Sequence, residues 1–132
     1  MLTSPLPLQI DEFLSRPNPA VIATVRPDGA PVSVATWYDW HEGRILVNMD
    51  SSRRRLPYLR SDPRVSLTVL DSKNWSHVSL RGRVVSLRDD ENLDDIDRLS
   101  ERYVGQPFEV RDSARVSAWI EVDSWHSWGV EG

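Results

Sequence analysis

The sequence predicts a mainly β domain: six short strands folded as a small, mostly antiparallel barrel, with two or three short helices at its ends. Three observations lead there. Strand-like runs, alternating or β-branched, recur along the chain. Tight-turn residues join most neighbouring runs. Helical periodicity is confined to a few isolated segments and does not follow each strand, which argues against a doubly wound parallel sheet.

Taken in order, Leu6 to Arg16 carries Ile10, Phe13 and Leu14 at helical spacing, and Pro17 stops the pattern. This is a short amphipathic helix, placed as a lid on a barrel end. Ala20 to Val25 is a buried strand. Pro27-Asp28-Gly29 turns the chain, because proline presets φ and glycine accepts positive φ. Pro31 to Tyr38 alternates as the second strand, with Val32, Val34, Thr36 and Tyr38 on one face. Asp39 to Gly43 reads as a turn, and Arg44 to Met49 as the third strand. Val65 to Leu70 is the fourth strand, and Trp75 to Leu87 a long fifth. Its phase changes between Val84 and Val85 after Gly82, the mark of a bulge. Asp89 to Tyr103 is a helix with a Leu93, Ile96, Leu99 and Tyr103 stripe, acidic at its start and ended by Gly105. Arg115 to Val122 is the last strand, with a tail from Ser124 to Gly129.

At 132 residues the chain is expected to be one domain, and its 39% hydrophobic and 27% charged content is ordinary for a globular protein. The net charge of −4 argues against nucleic acid as a partner. With no cysteine, thiolate nucleophiles and disulfides are excluded, and a cytoplasmic location is expected. No apolar run reaches membrane-spanning length, and the start lacks a signal-peptide pattern. Six tryptophans is a high count, so several are expected in interfaces or against a flat ligand.

Asn48 to Arg64 is the segment with the most chemistry in it. Three consecutive arginines, Arg53-Arg54-Arg55, follow the third strand in a chain that is acidic overall. Cations at a helix start oppose the dipole unless an anion sits there, and guanidinium forks suit phosphate. Ser51 or Ser52 could cap the helix; alternatively it begins near Leu56, with Pro57 at its first position and the arginines in the loop before it. Elsewhere no nucleotide-binding glycine pattern, P-loop or nucleophile elbow occurs, and His41, His77 and His126 lack metal-ligand spacing. A ligand site without an evident nucleophile or acid–base pair points to a cofactor that carries the reaction.

Several motifs, in order, carry a resemblance. They are Phe13-Leu14 with Ala20-Val21-Ile22-Ala23-Thr24, Asp28-Gly29-Ala30-Pro31, Thr36-Trp37-Tyr38, and Arg53-Arg54-Arg55 followed by Leu59-Arg60-Ser61-Asp62-Pro63-Arg64-Val65. Arg81-Gly82-Arg83-Val84 and the stretch from Arg98 through Gly105 to Ile120 complete the set. In them the chain resembles the pyridoxamine 5'-phosphate oxidase-like, FMN-binding split β-barrels, and among those the small F420- or FMN-dependent oxidoreductases of actinobacteria. The resemblance implies a six-stranded split barrel and a homodimer with cofactor sites at the subunit interface. It implies coenzyme F420, with FMN as the alternative. Arg53 and Arg55 fall on the family's basic pair, with Arg54 as a helper; Thr36 and Trp37 line the ring; Asn48 and Met49 lie beneath it. Lys73 and Trp75 fall on a segment often supplied by the partner subunit. Tyr58 stands where relatives often carry asparagine. The implied reaction is hydride transfer with an electron-poor small molecule, the alternative being a non-enzymatic flavin- or haem-type carrier or sensor. No catalytic residue is assigned; Tyr38 and His77 are the candidate proton donors.

Overall fold

The curl of the sheet follows from its two outermost strands, which are consecutive in the chain. In the computed structural model, which describes residues 6–130, seven strands form one antiparallel sheet: β1 (Ala20–Val25), β2 (Pro31–Thr36), β3 (Asp39–His41), β4 (Arg44–Asp50), β5 (Arg64–Leu70), β6 (His77–Asp89) and β7 (Arg115–Trp128). Their order is β2-β1-β5-β6-β7-β4-β3. Edge strands β2 and β3 are joined by Trp37 and Tyr38 alone. Three Cα–Cα steps span at most about 11 Å, so the far edges must come together and the sheet must curl into a barrel left unzipped at that seam. Helices α1 (Leu8–Ser15), α2 (Arg55–Ser61) and α3 (Asp94–Val104) complete the chain.

The seventh strand corrects the expected six. Asp39–His41 is β3 rather than a turn, paired with β4 through the two-residue connection Glu42-Gly43. Both residues have positive φ, 51° and 76°, the twist that a two-residue hairpin needs. Other boundaries also differ, β2 ending at Thr36 rather than at Tyr38 among them. Trp75 lies outside β6, at φ 65°. Asp89 ends β6, so α3 starts at Asp94. The tail continues as strand to Trp128, paired with His77. The expected bulge is present: register shifts fall between Arg81 and Gly82 and between Val84 and Ser86 of the β6–β7 ribbon.

The barrel core comprises Ile22, Tyr38, Ile45, Val47, Met49, Leu67, Val69, Val78, Leu80, Ala118 and Ile120, capped by Ile10, Phe13 and Leu14 of α1. Outside it, Leu93 at the cap of α3 and Ile96 and Leu99 within it form a second cluster with Trp37 and Phe108. Period-two alternation thus sends Tyr38 inward and Trp37 outward from one dipeptide.

Arg102 of α3 fastens the lid. Its guanidinium donates to the carbonyls of Tyr38 (2.8 Å), Ser15 (2.8 Å), Arg16 (2.8 Å) and Leu14 (3.2 Å). It therefore satisfies the free carbonyls at the end of α1, which has no basic residue in its last turn. The Tyr38 hydroxyl donates to Leu14 (2.7 Å) and Arg16 (3.0 Å), and Tyr103 donates to Asn18 (2.8 Å). Arg102→Ala is expected to cost about 2 kcal/mol, because four carbonyl acceptors, two of them part-buried, lose a charged donor at once. Arg102→Lys should recover little of it, lacking the planar fork. Urea unfolding of the three proteins checks this, and a lysine variant equal to wild type would contradict it.

Candidate cofactor-binding site

A cavity of about 540 Å³ lies between the barrel wall and α3. Thr36, Trp37 and Ala35 border it from the end of β2; Pro17, Pro19 and Ala20 border it from the segment between α1 and β1. Asn48 enters from β4, Arg55 from the start of α2, Arg115 from the start of β7, and Tyr103 and Phe108 from α3 and the loop after it. One flank is aromatic. Trp37 stacks on Tyr103 at 5.5 Å and 7°, and Phe108 meets Trp37 edge-on at 6.2 Å. The Tyr103 hydroxyl is held above its ordinary pKa, chiefly by burial.

The other flank is cationic. Arg55 is partly buried; its Nε is fully so and meets no acceptor among the described residues. One terminal nitrogen reaches the Asn48 carbonyl at a long 3.4 Å. Arg115 donates Nε–H to the Asn48 side-chain oxygen at 2.7 Å and lies over the Phe108 ring at 4.7 Å. Neither guanidinium has a carboxylate within ion-pair distance among the described residues. Arg55 is shifted below the usual guanidinium range by burial first and then by the charges of Arg53 and Arg115. For Arg115 burial also leads, partly offset by Asp50. Two partly desolvated cations that repel each other are costly unless an anion joins them. The charge, planarity and free donor of this pair suit a phosphate or carboxylate group.

Of the residues expected from sequence, the fold brings Thr36, Trp37, Asn48 and Arg55 to this cavity. Arg53 and Arg54 remain exposed in the turn before α2, so one arginine of the three enters. The turn follows from Asp50, whose carboxylate accepts both the backbone N–H (2.9 Å) and the hydroxyl (2.7 Å) of Ser52. Neither serine caps α2: it begins at Arg55 with no side-chain cap. Pro57 stands third in the helix, still within the first turn where an N–H has no intrahelical partner. Met49 points into the barrel, 1% exposed, as period two requires next to Asn48. Tyr58, Lys73 and Trp75 do not line the cavity. Trp75 is 70% exposed at the tip of a loop tied by Asp71 and Asn74 side chains.

The proton-donor candidates are elsewhere. Tyr38 is fully buried, both its hydrogen bonds go to α1-end carbonyls, and burial raises its pKa. His77 bonds the Trp75 carbonyl and stacks on Trp128. Sequence reasoning missed Arg115, Tyr103 and Phe108 as site residues. For Arg115 the signal lies in the β4–β7 register, which sets Asp50 opposite Arg115, and no local pattern reports that.

Known proteins bear on this geometry. Among curated proteins none matches the chain. Among solved structures, an F420 reductase is 26% identical with a TM-score of 0.85, covering 92% of this chain and 98% of its own. A conserved hypothetical protein of Mycobacterium tuberculosis is 25% identical, TM-score 0.72, with coverages of 95% and 85%. General stress protein 26 of Bacillus anthracis, at 18% identity and TM-score 0.68 with 93% coverage of both chains, shares the fold. The family model described as pyridoxamine 5'-phosphate oxidase matches residues 6–129. With nearly the whole described chain inside that match and the barrel shared, this protein belongs to the pyridoxamine 5'-phosphate oxidase family.

Proposed function

We propose that the chain is an oxidoreductase that uses the deazaflavin coenzyme F420, with FMN as the alternative cofactor. The observation that carries this reading is the pair of partly buried guanidiniums, Arg55 and Arg115, bracketing Asn48 at one flank of a cavity whose other flank is aromatic. The likeness to an F420 reductase supports the deazaflavin over FMN. A bound ring of this kind supplies hydride transfer with an electron-poor small molecule. The protein's part is to hold and to exclude. Arg55 and Arg115 take the anionic group, and Arg53 and Arg54 add exposed positive charge beside it. Trp37, Tyr103 and Phe108 keep water from the cavity flank.

The working unit in this proposal is a homodimer. Val21, Val32 and Val34 of β1 and β2 are 44%, 37% and 45% exposed, and Trp75 and Trp128 also present large apolar surface. Lys73 and Trp75, which miss their own cavity, would then serve the partner's.

Fluorescence titration of the purified protein with F420 and with FMN, run beside light scattering, tests both parts. Expected results are saturable binding of F420 in the micromolar range or tighter, one site per chain, and a mass of two chains. Failure to bind either ring overturns the cofactor reading. A monomeric mass for the loaded protein overturns the dimer. Binding without turnover across a panel of enones and quinones would favour a carrier or sensor.

A further inference from the structure

A buried polar relay runs behind the cationic flank: Asp90 and Ser117, which do not line the cavity, are tied to Asn48, which does. Asp90, between β6 and α3, is 7% exposed and has no Lys or Arg within ion-pair distance among the described residues. One of its oxygens, Oδ2, accepts the backbone N–H of Ile96 at 2.9 Å and the Asn48 side-chain N–H at 3.1 Å; the other accepts the Asp95 N–H at 3.2 Å. Asn48, 6% exposed, donates also to the Ser117 hydroxyl at 3.0 Å, and Ser117 donates onward to Asp95 at 2.6 Å. With both donors of its amide spent on Asp90 and Ser117, Asn48 must turn its oxygen the other way. There it receives Nε–H of Arg115 at 2.7 Å. The Arg115 side chain is thereby held by its Nε, which leaves its terminal nitrogens for the cavity.

We infer that Asp90 is a positioning residue for anion binding: through the Asn48 amide it fixes the orientation of the Arg115 guanidinium, while the same carboxylate anchors the start of α3. This deepens the proposed function and rests on that reading of the cavity. The polarity of the chain makes the point. A carboxylate at position 90 can only accept, so the Asn48 amide has one satisfied orientation. An amide at position 90 can keep its oxygen at the Oδ2 place, where it still accepts from both Ile96 and Asn48, and gives up only the Asp95 N–H. Alanine accepts nothing there: Asn48 loses the acceptor that fixes its amide, and once the amide turns over its N–H faces the Nε–H of Arg115. Arg115 is then released from its fixed geometry. A fully satisfied network is rigid, and a half-satisfied one is not.

The test is a double-mutant cycle on wild type, Asp90→Ala, Arg115→Gln and the double variant, with Asp90→Asn as the conservative control. Kd values for F420 and for FMN are read by fluorescence, and for inorganic phosphate by competition. All are measured well below each variant's melting temperature, which is recorded alongside. Losing one charge-assisted contact corresponds to about tenfold in Kd. Asp90→Ala is expected to weaken binding by about tenfold in the wild-type background and by less than twofold when Arg115 is already glutamine, while Asp90→Asn stays within about twofold of wild type. Asp90→Ala that lowers the melting temperature but leaves Kd unchanged overturns the inference, as does an equal loss in both backgrounds or a loss in Asp90→Asn as large as in Asp90→Ala. If wild type binds none of the three probes, the cofactor reading fails and this inference falls with it. If wild type binds and Asp90→Ala binds equally well, the inference alone fails.

Discussion

Gly82→Ala should destabilise the fold by about 3 kcal/mol or more, lowering the melting temperature by roughly 10 °C, or leave the chain unfolded. Gly82 sits where the β6–β7 ladder shifts register, and the two backbones close on each other there. A methyl group on Gly82 would overlap the Glu121 carbonyl oxygen, and would stand 2.9 Å from its carbon and 3.2 Å from Cα of Val122. All three atoms are backbone, so no side chain can swing aside. The strain falls on the longest ribbon in the sheet, where most of the sheet's register is set. Thermal unfolding followed by circular dichroism checks it; an alanine variant that melts within 2 °C of wild type, an allowance of about half a kcal/mol, would show that the ribbon relaxes freely. Gly29 is a useful contrast. Its φ of 86° strains a substitution, but nothing lies within 4 Å of an added carbon, so Gly29→Ala should cost closer to 1 kcal/mol.

Arg55→Met should weaken cofactor affinity by about thirtyfold while leaving the free protein as stable as before, or more so. The two halves have one cause. Arg55 is partly buried, with an Nε that no acceptor meets among the described residues, and Arg53 and Arg115 repel it. Methionine fills similar space without the charge, and replacing an uncompensated buried ion by an apolar side chain is often stabilising. When an anion binds, the same charge becomes favourable. Arg54→Met, at an exposed position, should change affinity by less than about twofold. Titration and melting of both variants decide the matter. Loss of stability in Arg55→Met with affinity intact would make Arg55 a structural residue.

Much of the barrel was legible because its signals are local. β1 and β5 match their apolar runs to within a residue, and the Gly82 bulge was announced by a phase change in a single strand. The unread parts depend on pairing partners. β3 is three residues, two of them charged or titratable, and becomes a strand only because β4 lies beside it. The far half of β7, Asp123-Ser124-Trp125-His126-Ser127-Trp128, has no period-two pattern, and it is β6 that makes it a strand. The site divides the same way. Thr36, Trp37, Asn48 and Arg55 come from the first half of the chain, where motif order is informative. Arg115, Tyr103, Phe108 and Asp90 join them only once the last strand docks on β4 and α3 lies over it. The arginine triplet misled in one respect: three adjacent cations splay, and turn geometry admits one.

The Trp37-Tyr38 crossing carries a consequence for how such a chain can vary. These two residues are the whole link between the sheet's edges, one facing the barrel interior and the other the cavity. Substitution at position 37 reshapes the cavity without entering the core. Insertion or deletion of one residue would exchange the two sides, sending an interior side chain to the ligand and a cavity side chain inward. Sequence drift at this crossing is therefore confined to identity and closed to length: a descendant that keeps both the barrel and the cavity can change what stands at these positions, but not how many there are.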